Sequence, residues 1–426
     1  LKYLPFSCYS HQPFGKIIKN AEKLKTIKSG KTGDKAMKKT HTSILILGIL
    51  LLGAISRAPT VALGPLLPVI QEDFNMSYGA TGFIVTLPVV IVALASMPIS
   101  KLLGSKGVIF TLTLGLSFYG LSLLIRSFGG LVGLFLGAAM VGLGMCFINV
   151  LIPAIIKDNF PLRVGPVTSF YTTMMYVFAA LSSGLAVPVA KLTSSWQVSL
   201  AQWFPLIILC LILWRTQKNS YHDSLRNSPS ESFPGFRLIR VSPLARWITV
   251  LMVGQAFIYY GSISWLPTIV QSAGYTGTEA GFLASVVQLC GIPGAIIAGI
   301  VVHRFSTQQI PCMIAGCTFF LSSLFMAFST SLVGFTICAI LLGFSMASSY
   351  TLFLCVLSLR AKDSTQAAEL TGIVFLIGYL VASIAPLIMG ILYDLTHTWT
   401  IPIIVLMVSA FLYGLAGFKA GKEGEL

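Results

Sequence analysis

Residues 44–70 read ILILGILLLGAISRAPTVALGPLLPVI, an apolar run broken by a single charge, Arg57. An α-helix rises ~1.5 Å per residue, and about 20 apolar residues cross a hydrocarbon core about 30 Å thick. The run is long enough to span. Arg57 lies about thirteen residues from its start, which puts it roughly 20 Å deep. A cation near the bilayer centre costs about 2.5–3.5 kcal/mol on insertion scales and more in simulations, so it needs a partner or a wet cavity.

The rest of the chain extends this reading. Hydrophobic residues make up 55% of the 426 and charged residues only 10%, against about 25% charged in a soluble domain. Mean hydropathy is +0.87. The chain is therefore an integral membrane protein. Uncharged stretches predict twelve helical spans, near 44–69, 79–100, 107–126, 131–156, 166–190, 198–214, 247–270, 280–302, 310–329, 332–357, 370–392 and 400–418. Continuous apolar runs exclude outer-membrane strands, which need about ten alternating residues. None of the spans carries a carboxylate near its centre, so the counter-ion of Arg57 is a candidate for the cargo itself.

Lys and Arg fix the orientation, because cytoplasmic segments are enriched in them. An inside N-terminus gathers the ten lysines of residues 1–39 and nearly every later Lys and Arg on one side, leaving Arg126 and Lys191 outside. Both termini are then cytoplasmic in a multi-pass inner (cytoplasmic) membrane protein. The net charge of +15 is mostly this topology signal, so no nucleic-acid partner is expected. Membrane lipid is the expected surroundings, and the protein is read as a monomer. Residues 1–42 form a basic tail without an apolar span; Met37 opens MKKTHTSILILG and is read as the translation start, with 1–36 a gene-model extension.

Two halves follow. Residues 215–246 are the longest polar stretch between spans and divide a 43–214 six-helix half from a 247–418 six-helix half; 419–426 is a cytoplasmic tail. The halves echo each other. Leu131-Val132-Gly133, Gly142 and Met145 match Leu332-Val333-Gly334, Gly343 and Met346 at an offset of 201, and Gly82-Phe83 matches Gly281-Phe282 at 199. The expected fold is all-α, with two pseudo-symmetric half-bundles that rock about a midplane site. Gly and Pro within the spans suit sliding and kinking, although membrane helices favour both residues anyway.

Several function classes lack their chemistry. No paired carboxylates, nucleophile with base, or metal ligands converge, and no Walker A motif is present. The CxxC spacing of metal sites is missing and seven of the eight cysteines fall in predicted spans, so neither a metal nor another cofactor is expected. A membrane sensor or scaffold would need an output domain larger than the 32-residue linker.

Certain residues then become familiar together. They are Arg57 with Gly64-Pro65-Leu66-Leu67, Thr86-Leu87-Pro88, Asn149-Val150-Leu151-Ile152-Pro153-Ala154 and Lys157-Asp158-Asn159-Phe160-Pro161. Tyr171-Thr172-Thr173, Gly184-Leu185-Ala186-Val187-Pro188, Trp265-Leu266-Pro267, Gln288-Leu289-Cys290-Gly291-Ile292-Pro293-Gly294, Gly378-Tyr379 and Asp394-Leu395-Thr396 complete the set. Over about residues 43–420 the chain resembles the major facilitator superfamily, and specifically its cyanate-porter (CynX/NimT-like) branch. One departure stands out: the superfamily carries G-x-x-x-D-R-x-G-R between spans two and three, where this chain has SKLLGSKG at 100–107, without the Asp.

The resemblance implies a secondary or facilitated transporter of a small anionic or polar solute, with spans one, four, seven and ten lining the path. Arg57 is the leading substrate-binding candidate, since its planar fork of donors suits a small anion; the alternative is an Arg that locks the bundle through carbonyls or waters. Tyr259 and Tyr260 lie in span seven at the depth of Arg57. Gln288 in span eight, Tyr379 in span eleven, and Asn149 and Tyr350 at matching places in spans four and ten are further candidates, with Tyr171; each could equally join helices. Trp265 is a candidate contact or an interfacial anchor. Deep acids or histidines for proton coupling are absent, because Glu279, Glu369, Asp394, His303 and His397 all lie near span ends. Either the solute moves down its gradient or it carries its own proton. A multidrug-type or nitroimidazole-like efflux carrier is the alternative.

Overall fold

The computed structural model describes residues 43–76, 78–217, 234–422 and 424. The basic tail and the reading of Met37 as a start lie outside these residues. Packing is described for the unit formed by residues 48–426.

Among the described residues, twelve helices are long and apolar enough to cross a membrane. They are α1 (Ser43–Leu67), α2 (Phe83–Lys106), α3 (Val108–Phe128), α4 (Gly130–Asn159), α5 (Pro161–Thr193), α6 (Trp196–Thr216), α7 (Pro243–Ser272), α8 (Glu279–Arg304), α9 (Gln309–Phe328), α10 (Leu332–Arg360), α11 (Ser364–Thr396) and α12 (Thr400–Ala420). All twelve expected spans are present. Most run on past their predicted limits, because hydropathy registers only the apolar stretch while the helix continues into the headgroup layer. Polar caps end them there. Ser195, Ser242, Ser331 and Asp363 each accept a backbone N–H in the first turn of the helix that follows. Within the linker, Pro234–Val241 forms a short helix.

Burial ranks the helices by position. The four spans most enclosed by protein are α10 at 83%, α7 at 67%, α4 at 61% and α1 at 56%. These are the four expected to line the path, one pair from each half. The repeat also appears in the packing. A Cβ on Gly142 of α4 would meet the Pro88 carbonyl of α2 at 2.5 Å, and one on Gly343 of α10 would overlap the Val287 carbonyl of α8. Gly343 is Gly142 shifted by 201, and Val287 is Pro88 shifted by 199. The two sequence offsets thus meet in one repeated contact, where only glycine lets the backbones approach so closely.

The odd helices run away from the face at which α1 starts, here the N-terminal face, and the even helices return to it. At that face the two halves are knitted together. Ser96 and Ser100 of α2 donate to Gly372 O and Ala368 O of α11, at 2.8 and 2.7 Å. Ser169 of α5 donates to Ala295 O of α8 at 2.9 Å, and the hydroxyls of Thr172 and Thr351 share a hydrogen bond of 2.9 Å. Ser100 opens the SKLLGSKG stretch. Laid on Gly107, the superfamily pattern would place its Asp at Gly104; the bonds between α2 and α11 are made by hydroxyls one and two turns before it.

Glu279 has a structural role. Its carboxylate accepts the Thr276 backbone N–H at 2.8 Å while Thr276 Oγ1 accepts Glu279 N–H at 3.3 Å, a reciprocal cap on α8. The box accepts Glu or Gln at this position, so Glu279→Gln removes only the charge that favours the helix start. Glu279→Gln should therefore lower the thermal midpoint slightly and leave initial uptake rates within about twofold of wild type, since a cap acts through stability alone. Loss of uptake with an unchanged midpoint would assign Glu279 a part in transport.

Candidate functional site

A cavity of about 260 Å³ occupies the half of the bundle away from the N-terminal face. Both halves line it. The first supplies Arg57, Thr60, Leu63 and Gly64 of α1, Thr86 and Pro88 of α2, Arg126 of α3 and Met145 of α4. The second supplies Tyr259, Tyr260 and Ser264 of α7, Gln288 of α8, and Ser383 and Pro386 of α11.

Local backbone chemistry explains why Arg57 is held firmly. Pro59 lacks an N–H, so it cannot bond Ile55 O in the turn below. That carbonyl accepts the Tyr119 hydroxyl of α3 at 2.9 Å instead. One turn on, Ser182 of α5 donates to Ala58 O at 2.6 Å. Two neighbouring helices thus clamp the turn that carries Arg57, satisfying backbone groups that lipid could not.

The guanidinium projects among aromatic rings. Arg57 Cζ lies 4.5 Å from the Tyr259 ring centroid, 5.7 Å from Tyr176 and 5.8 Å from Tyr350. Contacts within about 6 Å attract the cation through the ring quadrupole, and each gains about 2 kcal/mol or more when desolvated. The rings offset burial of the charge but leave the in-plane N–H donors of the guanidinium without an acceptor. Nη1 of Arg57 is buried with no hydrogen-bond partner, and among the described residues lining the cavity there is no Asp or Glu. The cation is held by aromatic faces and remains able to receive an acceptor.

Most of the expected residues converge here. Tyr259 packs edge-to-face on Tyr260 at 5.0 Å and Tyr260 on Tyr379 at 6.3 Å, extending the ring cluster from α7 to α11. Gln288 lines the same space from α8. Tyr350 reaches Arg57 from α10. Asn149 and Tyr171 are placed differently: both are buried, and the Tyr171 hydroxyl donates to Asn149 Oδ1 at 3.3 Å, joining α5 to α4 away from the cavity lining. Trp265 donates to Pro386 O at 2.9 Å and packs on Trp399 at 5.2 Å, which fits an anchor between α7 and α11.

Two residues, one beside Arg57 and one on the cavity wall, escaped the sequence reading. Tyr176 was one tyrosine among fourteen, on the same helix as the candidate Tyr171 but on a different face of it. Arg126 was counted with the outer surface because it closes α3. The structure instead buries it to 1% exposure, on the cavity wall. The neighbouring glycine-rich turns explain this: a Cβ on Gly137 would come within 2.5 Å of the Arg126 backbone, so α4 packs over the end of α3 and encloses its last charge.

Comparison with known proteins now decides the family. The profile of the Major Facilitator Superfamily matches residues 49–367. The chain belongs to the major facilitator superfamily. It is 33% identical to the uncharacterized transporter YycB of Bacillus subtilis, over 91% of this chain and 95% of that one. It is 31% identical to the 2-nitroimidazole transporter of Escherichia coli, over 90% and 96%. Identity to the cyanate transport protein CynX of Escherichia coli is 22%, over 83% and 91%. Among solved structures, the transporter FucP in an outward conformation superposes with a TM-score of 0.70 at 15% identity, over 89% of this chain and all of that one. The chain is thus a twelve-span transporter of small solutes and not an enzyme, within the cyanate-porter-like branch that its motifs suggested.

Proposed function

We propose that this transporter carries a small, planar or linear anion, or a solute with anion-like oxygen acceptors, by alternating access around Arg57. The observation that carries the reading is the buried, unpartnered Nη1 of Arg57 among the rings of Tyr259, Tyr176 and Tyr350. A flat solute stacks on those faces while its oxygens or nitrogens take the guanidinium hydrogens. Cyanate satisfies the acceptor requirement and 2-nitroimidazole satisfies both, so the cargo of two relatives suits one constellation. Tyr260, Gln288 and Tyr379 complete the cage in this reading, and Asn149 with Tyr171 supports it from below. The ring cluster also favours a second reading, a nitroimidazole-like efflux carrier, in which stacking outweighs charge.

Lys and Arg place the N-terminal face in the cytoplasm of a bacterial-type inner membrane. The knitted face is then cytoplasmic and the cavity faces outward. The protein works as a monomer surrounded by lipid. Without a deep acid or histidine among the described residues of the cavity, coupling to protons runs through the solute or not at all.

A thermal-shift panel on purified protein tests the reading, with cyanate, nitrate, benzoate and 2-nitroimidazole on wild type and Arg57→Lys. At least one compound should stabilise wild type. Lys should weaken that response about tenfold in midpoint concentration, because a point charge lacks the planar fork. An anion response that survives unchanged in Arg57→Lys would remove Arg57 from the site.

A further inference from the structure

We infer that Arg126 is a second anion-binding station, on the outer wall of the cavity that holds Arg57. Arg126 sits in the last turn of α3 and is 1% exposed. Its Nε and Nη2 are both buried without a hydrogen-bond partner. The obvious structural use of a helix-end Arg is to cap its own terminal carbonyls, and these two nitrogens do not do so. The Ile125 carbonyl beside it is already taken by Gly129 N–H at 2.9 Å. Tyr119, two helical turns before Arg126, spends its hydroxyl on Ile55 O. No acid lines the cavity among its described residues.

A single unpaired buried cation calls for one ligand, and two in one cavity call for two negative charges. Moving a guanidinium from water into an apolar site without a partner is costly, and evolutionarily cheap alternatives such as Gln or Leu would fill the same position. An acceptor supplied from outside resolves both cations. Arg57 lies at the middle of α1, and Arg126 at the end of α3 farther from the N-terminal face, so the two stand at different depths along one path. The outer station meets the anion first and hands it inward, and at saturation each Arg holds one monoanion. Since both line one cavity, a single elongated dianion is the other form the same proposal takes. The shared chemistry is the same, two guanidinium-bound negative groups. This inference rests on the reading of Arg57 as an anion site, and the two fail in different ways.

The test follows stabilisation by sodium benzoate and sodium succinate in wild type, Arg126→Gln, Arg126→Lys, Arg57→Gln and the double Gln variant, each first shown to be monodisperse. Arg57→Gln should keep a residual benzoate response that the double variant loses. Arg126→Gln should raise the half-saturating benzoate concentration for uptake about tenfold with little change in maximal rate, and Arg126→Lys should recover part of it. A succinate response lost in either single variant identifies the bridging mode. If Arg126→Gln matches wild type, and the double variant matches Arg57→Gln, the second station is overturned while Arg57 stands. If benzoate and succinate stabilise no variant and not wild type, or if Arg57→Gln leaves wild-type responses, both proposals fall. If Arg126→Lys misfolds like Arg126→Gln, a role in holding α3 to α4 replaces the station.

Discussion

Arg57→Gln should abolish transport, with uptake falling at least about a hundredfold, in a protein that still inserts and purifies as a single species. The magnitude follows from what the guanidinium does for cargo in a cavity without other cations at that depth. A hydrogen bond to a charged group contributes about 1.5–3 kcal/mol net, and a planar fork makes two in parallel. Without them an anion must also be desolvated against neutral rings, which adds a few kcal/mol more. About 1.4 kcal/mol corresponds to a factor of ten, so even the lower sum exceeds two decades. Folding should survive, because the three tyrosine rings contribute only modest cation–π energy and Gln removes an unpaired charge rather than breaking a pair. Uptake of a labelled anion into proteoliposomes, normalised to inserted protein, measures it. Transport within about tenfold of wild type would mean that the rings alone hold the solute, which is the efflux-type reading.

The architecture was legible in the chain because membrane spans announce themselves by length and composition. All twelve appear, and the four spans expected at the centre are the four most enclosed. The repeat was visible as two offsets, 201 and 199, but only the structure shows that they describe two faces of one contact, Gly142 on Pro88 and Gly343 on Val287. The site was partly legible. Arg57 stood out as a charge in an apolar run, and Tyr259 and Tyr260 through matching depth. Arg126 did not, because two residues from a span end a charge reads as solvated. Whether it is buried depends on how α4 packs over α3 at Gly137, a tertiary fact with no one-dimensional signature. Asn149 and Tyr171 illustrate the converse: a buried amide and phenol look like ligand groups in sequence, yet they bond each other. The missing Asp of SKLLGSKG showed only a departure from the family pattern, while the bonds of Ser96 and Ser100 to α11 had no signature in the sequence.

That joint has a counterpart between α5 and α8, and it yields the second large effect. Gly299→Val should stop transport by excluding the conformation in which the N-terminal face is closed. A Cβ on Gly299 would overlap Ser169 Cβ and come 3.1 Å from Gly165 O, and Ser169 is the residue that donates to Ala295 O across the two halves. Overpacking a tight contact costs about 1–3 kcal/mol even when neighbours relax. Here relaxation is restricted, since part of the opposing surface is backbone. Under the proposed alternating access the halves separate at this face, so the clash belongs to one state only. A penalty confined to one conformer shifts the population rather than unfolding the chain: about 2.7 kcal/mol changes the ratio of states a hundredfold. The outward cavity should therefore close. An impermeant maleimide should label an introduced Ser383→Cys, on the cavity wall, about tenfold more slowly in Gly299→Val than in its parent. Gly281→Val on the same helix is the control, since a Cβ there meets nothing within 4 Å, and it carries the same loss of helix flexibility without the clash. If Gly299→Val and Gly281→Val label and transport alike, the contact between α5 and α8 is not a gate, and closure of that face rests on the serines of α2 and the Thr172–Thr351 bond.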